Sequence, residues 1–336
     1  MSYGAAVITV CGEMVADLIE QPDGTLRPVP GGSPANTALA CARLGADVEF
    51  LGRFGNDVFG ERARARLIDN RVGLSASVDA TEPSTLAVAT TDSEGHATYA
   101  FWTSGTADWQ WTDDELAAAP SPGTRAVHTA SVASWTPPGA QAIIAMLARA
   151  REVGCLVSYD PNIRPALVRA ESPELIRAAI ATAHVVKVSD EDVAALHPGT
   201  DPLESARAWL DLGPSLVVVT AGSEGARAMR PGRDDVVVPS ADVTVADTIG
   251  AGDTFTAGLL TTLIDLMPAG GDPAVSLTDL TDAEVATALR AAAAAAGITV
   301  TRPGCDPPSA NELAAALGAP TLAAPAWEGE VSADSS

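Results

Sequence analysis

Asp247-Thr248-Ile249-Gly250-Ala251-Gly252-Asp253-Thr254-Phe255 forms a glycine-bracketed turn before an apolar helix predicted from Thr254 to Leu266. Gly250 and Gly252 allow the backbone to approach a ligand closely, and the helix directs unpaired N–H groups at the turn, which favours an anion such as phosphate. A carboxylate beside phosphate repels it, so Asp253 is better suited to take a proton from an attacking hydroxyl group. The other interpretation is an ordinary N-cap aspartate, since aspartate is a preferred cap residue. The layout is that of a phosphoryl-transfer site, with both interpretations of Asp253 open.

A second glycine pair precedes another predicted helix, in Pro30-Gly31-Gly32-Ser33-Pro34-Ala35-Asn36. Ser33 is predicted to be the N-cap, Pro34 the first helical residue and Gly45 the C-terminal stop. Asn36, one turn inside the helix, offers hydrogen-bond donors and an acceptor. Such a side chain suits a polyhydroxylated ligand that lies against the bare backbone of the two glycines.

With both glycine stretches in view, the chain resembles the ribokinase-like (PfkB-type) carbohydrate kinase family. The two signature regions of that family correspond to Gly31 to about Gly60 and to Asp247 to about Gly258. The resemblance covers roughly residues 6 to 312. It implies an α/β fold, a ribokinase-like three-layer sandwich with a central, mostly parallel sheet and a small β lid.

The resemblance also implies roles for individual residues. The catalytic base of the family corresponds to Asp253, which also contacts the sugar. The anion hole for the transferred phosphoryl group corresponds to the amides of Gly250, Ala251 and Gly252. Positions that hold the sugar hydroxyls correspond to Asp17, Gly31, Gly32 and Asn36. The ATP-binding positions correspond to Ser189, Thr220, Gly222, Gly225, Gly250 and Gly252.

Some of these residues have an ordinary structural interpretation as well. Without the resemblance, Asp17 would be read as a solvated loop carboxylate. The turn Thr220 to Gly225 follows an apolar strand, and a strand followed by a glycine turn is common in α/β proteins.

The expected metal sites depart from the family pattern. Many members carry Asn-x-x-Glu near the metal and phosphates, whereas this chain has Ser189-Asp190-Glu191-Asp192. Asp192 can still organise water around a Mg²⁺ ion that accompanies ATP. The same acids also suit the start of a helix because of its dipole. A monovalent cation, K⁺, is expected near Asp247, Ile249 and the stretch that runs from Thr299 to Gly304.

The hydrophobic pattern agrees with one α/β domain over residues 1–318. Short β-branched runs separated by helical stretches predict parallel strands that are buried on both faces. These runs are Val7 to Val10, Leu156 to Ser158, Val185 to Val188 and Leu216 to Val219. Residues 84–102 predict an antiparallel hairpin around Asp92-Ser93-Glu94-Gly95. The lid would comprise about residues 12–30 and 84–110, and the acidic segment 319–336 is expected to be disordered.

The charge excludes several partners. The net charge is −23, with Lys187 as the single lysine, which argues against nucleic acid and anionic membranes as partners. The chain has no Walker P-loop lysine, so backbone dipoles, arginine and Mg²⁺ must meet the phosphate charge. Four cysteines without paired spacing indicate a reducing compartment. No signal peptide and no stretch long enough to span a bilayer is evident, so a cytoplasmic location is expected.

The substrate is the least determined feature. Asp160-Pro161-Asn162-Ile163-Arg164-Pro165 resembles a motif shared by bacterial fructokinases and 2-keto-3-deoxygluconate kinases, and Arg164 can bind sugar or phosphate. Kinases for the acidic sugar usually carry an arginine after an aromatic pair in the lid, but here Thr103 follows Phe101-Trp102. This difference favours an uncharged ketohexose as the acceptor of the ATP γ-phosphoryl group, with fructose the leading candidate. The alternatives are 2-keto-3-deoxygluconate, ribose and a nucleoside. A non-catalytic sugar- or nucleotide-responsive binding protein is the alternative of another class. A homodimer formed through the lid is compatible with the sequence.

Overall fold

The computed structural model describes residues 7–21, 23–91 and 97–318. The segment 319–336, expected to be disordered, and the predicted turn Asp92–Gly95 lie outside the described residues. The strands are β1 (Val7–Cys11), β2 (Val15–Glu20), β3 (Leu26–Gly31), β4 (Asp47–Leu51), β5 (Arg53–Gly55), β6 (Val78–Ala80), β7 (Leu86–Thr91), β8 (Ala97–Trp102), β9 (Thr124–Ala130), β10 (Leu156–Asp160), β11 (Val185–Ser189), β12 (Leu216–Thr220), β13 (Ala226–Met229) and β14 (Val236–Val238). The helices are α1 (Ser33–Arg43), α2 (Val58–Asp69), α3 (Asp113–Leu116), α4 (Ala140–Glu152), α5 (Ser172–Thr182), α6 (Asp190–Leu196), α7 (Pro202–Ala208), α8 (Ala251–Leu266), α9 (Pro273–Asp279), α10 (Asp282–Val300) and α11 (Ala310–Ala316).

Eight strands form the large sheet in the order β14-β13-β12-β11-β10-β9-β1-β4. All neighbours from β4 to β12 are parallel, and β13 and β14 add an antiparallel edge. The four predicted strands, β1, β10, β11 and β12, all lie in the parallel region. The predicted α/β class with a mostly parallel sheet is confirmed.

The sheet is buried on both faces because successive side chains of a strand point in opposite directions. In β12, Leu216 and Val218 belong to a core with α1, α2, α8, α9 and α10, whereas Val217 and Val219 belong to a second core with α3 to α7. The result is three layers, helices on each side of one sheet. Parallel order also places the starts of several helices at one edge of the sheet, where ligands bind in such folds.

Helices α8 and α10 pack closely in the first core. A Cβ atom at Gly258 would lie 2.9 Å from the Cα atom of Ala292, and the Thr299 hydroxyl donates to the Thr254 hydroxyl at 3.1 Å. By length and composition α10 could cross a membrane, with a mean hydropathy of 1.3. No such stretch was expected from the sequence, where the alanines of α10 indicate only helix propensity. In the fold α10 is a core helix that fixes the position of α8.

A second sheet has the order β3-β2-β7-β8. β2 and β3 are antiparallel, β7 and β8 are antiparallel, and β2 and β7 are parallel. The hairpin predicted for residues 84–102 is therefore formed by β7 and β8. We refer to these four strands as the small sheet.

The start of α1 differs by one residue from the prediction. Gly32 is the N-cap, with a φ of +109° and no side-chain cap, and Ser33 is already the first helical residue. A Cβ atom at Gly32 would lie 2.6 Å from the carbonyl oxygen of Glu13, so only glycine fits against that backbone. Because the hydroxyl group of Ser33 does not cap the helix, it can donate a hydrogen bond to Asp253 instead.

Candidate active site

A cavity of about 500 Å³ lies between the carboxyl ends of the parallel strands, the small sheet and the N-terminus of α8. The structure brings residues from both glycine stretches together around it. The predicted site residues that line it are Asp17, Gly32, Asn36, Arg164, Ile249, Gly250, Gly252 and Asp253. Its volume falls in the usual range for small-molecule sites.

Asp253 lies at the third position of α8 and is 8% exposed. Its Oδ1 accepts a hydrogen bond from the Ser33 hydroxyl at 2.6 Å, and its Oδ2 accepts one from Asn36 Nδ2 at 2.9 Å. It is not an N-cap, since Gly250 occupies that position. Burial raises the pKa of Asp253 above its usual value, although these two hydrogen bonds act in the opposite direction. The carboxylate is oriented from α1 and faces the cavity.

The turn before α8 is held open by glycine. Gly250 has a φ of +77°, and a Cβ atom there would lie 2.4 Å from Cys305 Sγ. The amides of the first helical turn have no intrahelical acceptor, and the N-terminal end of the helix is electropositive. The Ala251 amide donates within the turn to the Thr248 carbonyl at 3.2 Å. Of the three residues of the predicted anion hole, Gly250 and Gly252 line the cavity.

The small sheet places Asp17 over the cavity. A Cβ atom at Gly31 would lie 2.0 Å from Asp17 Oδ2, so the glycine leaves room for the carboxylate. Burial raises the pKa of Asp17 to about 6, while the positive charge of Arg164 acts in the opposite direction. Arg164 is exposed, and its guanidinium donates to Asn162 Oδ1 at 2.7 Å. The sheet thus supplies one carboxylate to the cavity, and the loop after β10 supplies one cation.

Lys187 entered the sequence analysis only through the net charge. The structure places it in β11 with its Nζ atom 2.9 Å from Asp160 Oδ2, and both side chains are nearly buried and line the cavity. A Cβ atom at Gly252 would lie 3.0 Å from this Nζ. The feature of the sequence that could have indicated Lys187 as a site residue is its charge within an otherwise apolar strand.

Two further buried carboxylates were not predicted as site residues. Glu13 lines the cavity and accepts the amide of Ala133 at 3.0 Å, and burial raises its pKa to about 7. Asp108 accepts the amide of Met14 at 2.9 Å, and burial raises its pKa to about 6. Asp108 holds the backbone that leads into β2, and Glu13 holds the backbone that follows β9.

Four of the predicted ATP-binding residues, Ser189, Thr220, Gly222 and Gly225, lie outside the lining of the cavity. Ser189 is the N-cap of α6 and accepts the Asp192 amide at 3.0 Å. Thr220 is the last residue of β12, and Gly222 and Gly225 follow it with φ values of +47° and +95°. All four lie at or just after the carboxyl ends of β11 and β12, which are neighbours in the large sheet. Only Gly250 and Gly252 of the predicted ATP-binding set line the cavity itself.

The residues predicted near metals already have protein partners. Asp192 Oδ1 accepts the Ile163 amide at 2.9 Å. Asp247 accepts the amides of Ile249 at 3.0 Å and Gly304 at 2.7 Å, which joins the turn before α8 to the loop after α10. The hydroxyl of Thr299 is instead directed at α8. Within the described ranges there is no cluster of three or more His, Cys, Asp or Glu suited to a metal ion.

Comparison with known proteins gives a consistent picture. Residues 5–312 match the family described as pfkB family carbohydrate kinase. The chain is 35% identical to a fructokinase of Klebsiella pneumoniae over 260 residues, which covers 75% of this chain and 83% of that relative. It superposes on a fructokinase from Xylella fastidiosa with bound ATP at a TM-score of 0.84 and 26% identity, covering 93% and 98% of the two chains. A fructokinase double mutant from Vibrio cholerae O395 with fructose, ADP and potassium ion bound gives a TM-score of 0.78 at 28% identity, with 95% and 99% covered.

Proposed function

The chain belongs to the pfkB family of carbohydrate kinases, and we propose that it transfers the γ-phosphoryl group of ATP to a hydroxyl group of fructose. The observation that carries this proposal is the position of Asp253. Its buried carboxylate lies in the first turn of α8, beside amides that lack intrahelical acceptors, and faces a cavity of about 500 Å³. A base next to an anion site suits direct phosphoryl transfer to an alcohol.

The reaction is a direct, in-line displacement. The sugar hydroxyl oxygen forms a bond to the γ-phosphorus atom, and the bond from that phosphorus to the β–γ bridging oxygen breaks, which releases ADP. The hydroxyl proton passes to Asp253. Ser33 and Asn36 hold the two carboxylate oxygens, so the base is oriented before the sugar binds. Asn36, predicted as a sugar ligand, therefore also positions the base.

The negative charge of the transferred group is met at the start of α8. Gly250 and Gly252 line the cavity at this point, and the helix dipole adds to the field of their amides. The Ala251 amide can join them if it exchanges the Thr248 carbonyl for a phosphoryl oxygen. Nucleotide contacts from Ser189, Thr220, Gly222 and Gly225 are also proposed. These residues lie at or after the carboxyl ends of the paired strands β11 and β12, and Lys187 of β11 reaches Gly252 at the start of α8.

The residues present suit a divalent ion carried by the nucleotide. Mg²⁺ keeps several waters and binds through one or two carboxylates plus substrate phosphates, so a cage of three protein acids is not needed. One carboxylate oxygen of Asp192 accepts a hydrogen bond from the Ile163 amide. The other oxygen accepts no hydrogen bond within the described part of the chain. It would hold a water of Mg²⁺, which neutralises phosphate charge when bound.

A monovalent cation is proposed where Asp247 joins the turn before α8 to the loop after α10. Backbone oxygens of this region, with Ile249, Thr299 and Gly304 nearby, would supply its ligands. The Vibrio cholerae O395 fructokinase described with potassium ion bound makes K⁺ the leading candidate for this ion. The ion would stiffen the turn that carries Gly250.

The charges of the cavity support an uncharged sugar. Four carboxylates line it, those of Glu13, Asp17, Asp160 and Asp253, against the two cations Arg164 and Lys187. An acidic sugar would meet a net negative surface, whereas hydroxyl groups can donate to carboxylates. Thr103, which follows β8, also lines the cavity and provides no cation for a sugar acid.

The test is a coupled assay of ADP release with Mg-ATP. The acceptors are fructose, ribose, 2-keto-3-deoxygluconate, adenosine, glucose and fructose 6-phosphate, each with and without K⁺. We expect the highest kcat/KM with fructose and a higher rate with K⁺. Preference for another acceptor would retain the kinase activity and refute fructose. Absence of turnover with every acceptor, together with measurable binding of fructose or ATP by calorimetry, would favour a non-catalytic binding protein.

A further inference from the structure

Lys187 is a charged residue in an otherwise apolar strand. The other residues of β11 up to Val188 are buried valines, and Lys187 is the single lysine of the chain. Placing an ammonium group in such a strand is strongly unfavourable unless it is paired. The pairing is with Asp160, on the adjacent parallel strand β10, at 2.9 Å.

Pairing alone does not account for this lysine. Replacing a buried ion pair by apolar residues of similar volume is often neutral or stabilising, so stability gives little reason for the pair. The side chains are also not sealed in the core. Those of Lys187 and Asp160 are 6% and 2% exposed, and both line the same cavity as Asp253.

The ammonium group is next to the proposed anion hole. A Cβ atom built at Gly252 would lie 3.0 Å from Lys187 Nζ, so the lysine ends against the bare backbone of the first turn of α8. Gly252 therefore has a second role beside its free amide, since it leaves space for the lysine. The backbone amide and the ammonium group approach the same part of the cavity from two elements.

The charge of Lys187 is maintained at neutral pH. Burial opposes the charged form, but the carboxylates of Asp160, Asp192 and Asp253 outweigh it and raise the pKa of the ammonium group. Lys187 is thus unsuited to act as a base, and that role is left to Asp253. The three carboxylates also repel an incoming phosphate, which makes a buried cation at this point valuable.

We infer that Lys187 is a further catalytic residue, whose ammonium group contacts the phosphoryl group during its transfer. The inference rests on the proposed phosphoryl transfer. The ammonium group neither gains nor loses a proton. It donates to a phosphoryl oxygen next to the Gly252 amide, while Asp160 keeps it in place. The negative charge that the transition state spreads over the phosphoryl oxygens is then met by a cation as well as by backbone dipoles.

The first experiment compares Lys187→Met with wild type. Removing one donor from a site that stabilises developing charge typically lowers kcat by about 10²- to 10³-fold, and we expect this loss with little change in KM for fructose. Lys187→Arg, which keeps the charge with a different shape, should recover part of the rate. Arg207→Gln removes a cation from an exposed pair with Asp235 and serves as the control for net charge.

A second measurement uses the unaltered protein. Since the chain has one lysine, labelling with ¹⁵N-lysine gives one side-chain amine signal, which needs no assignment. With fructose and Mg²⁺ present, we expect this signal to shift more with the β,γ-imido analogue of ATP than with ADP. A purely structural ion pair would respond equally to both nucleotides.

The outcomes separate this inference from the proposed function. A Lys187→Met variant with wild-type kcat, or an amine signal that does not distinguish the two nucleotides, would overturn the role of Lys187 while fructose turnover by wild type stands. Absence of fructose turnover by wild type would overturn the proposed function itself. A large fall in kcat together with the selective shift supports the inference.

Discussion

Gly31→Ala is the substitution that probes the sugar side of the site most cleanly. The added Cβ atom would lie 2.0 Å from Asp17 Oδ2 and 3.0 Å from its Cγ, so the carboxylate must move. Gly31 does not have a positive φ, and alanine therefore adopts its backbone conformation without strain. The displaced group is the end of a flexible side chain, so we expect the fold to be retained.

The size of the effect follows from the hydrogen bonds that a displaced Asp17 can no longer make. If Asp17 holds sugar hydroxyls, moving it removes charge-assisted hydrogen bonds worth about 1.5–3 kcal/mol, or about 10- to 150-fold in kcat/KM for fructose. The assay is the initial rate of ADP formation at saturating Mg-ATP over a range of fructose concentrations. KM for ATP should stay close to wild type. Gly24→Ala, in the turn of the same sheet, controls for activity: its Cβ atom meets nothing within 4 Å, and although its φ of +79° should cost stability, kcat/KM for fructose should not change.

A double-mutant cycle decides whether the effect passes through Asp17. Because Gly31→Ala acts by displacing that carboxylate, adding it to Asp17→Ala should cause little further loss. The reasoning is refuted if Gly31→Ala leaves kcat/KM for fructose at the wild-type value. It is equally refuted if the two substitutions are fully additive.

Two further predictions concern the supports of the site. Glu13→Gln should reduce the loss of stability between pH 5 and pH 8. Burial raises the pKa of Glu13 in the folded protein from 4.5 to about 7. The stability that Glu13 contributes in wild type is therefore fully present below its unfolded-state pKa and falls by up to about 3 kcal/mol as pH rises towards 8. Denaturant unfolding at both pH values checks this, and parallel pH profiles for variant and wild type would contradict it. Gly250→Ala should lower both kcat and stability, because the Cβ atom would lie 2.4 Å from Cys305 Sγ and φ is +77°. Adding Cys305→Gly should recover the steric part, about 1–3 kcal/mol in unfolding free energy, and no recovery would show that the contact is not the cause.

The strands and the two glycine turns could be predicted because each leaves a local trace. A run such as Leu216 to Val219 is short, rich in valine and buried on both faces, as expected of a strand inside a sheet with helices on both sides. The turn before α8 is indicated by Gly250 and Gly252 and by the apolar helix that follows. In both cases the deciding interactions lie within a few residues of each other.

Other features depend on pairing that no local pattern contains. The contact between Gly31 and Asp17 exists because β2 and β3 pair in one register, and a shift by one residue would remove it. The hydrogen bond from Ser33 to Asp253 joins residues that are far apart in the chain. The sequence pattern predicts Ser33 as the N-cap because serine is favoured there, but the tertiary contact and the glycine before it prevail.

Lys187 shows why a charged site residue can be overlooked. In the sequence it stands between valines and follows no motif that predicts a phosphate contact. Its meaning comes from Asp160 on the next strand and Gly252 on α8, which approach only when the sheet and helix are assembled. The acidic side chain of Asp192 similarly contacts Ile163 of the neighbouring loop, which spacing alone does not indicate.

The central claim, transfer of a phosphoryl group to fructose with Asp253 as the base, is tested most directly by ³¹P NMR. Wild type and Asp253→Asn are each mixed with Mg-ATP, K⁺ and fructose, and the spectra are followed over time. We predict that wild type converts the γ-phosphate signal into that of a fructose phosphomonoester together with ADP, and that Asp253→Asn does so about 10²- to 10⁴-fold more slowly. Equal rates in the two proteins, or loss of ATP in wild type without a sugar phosphate, would contradict the account.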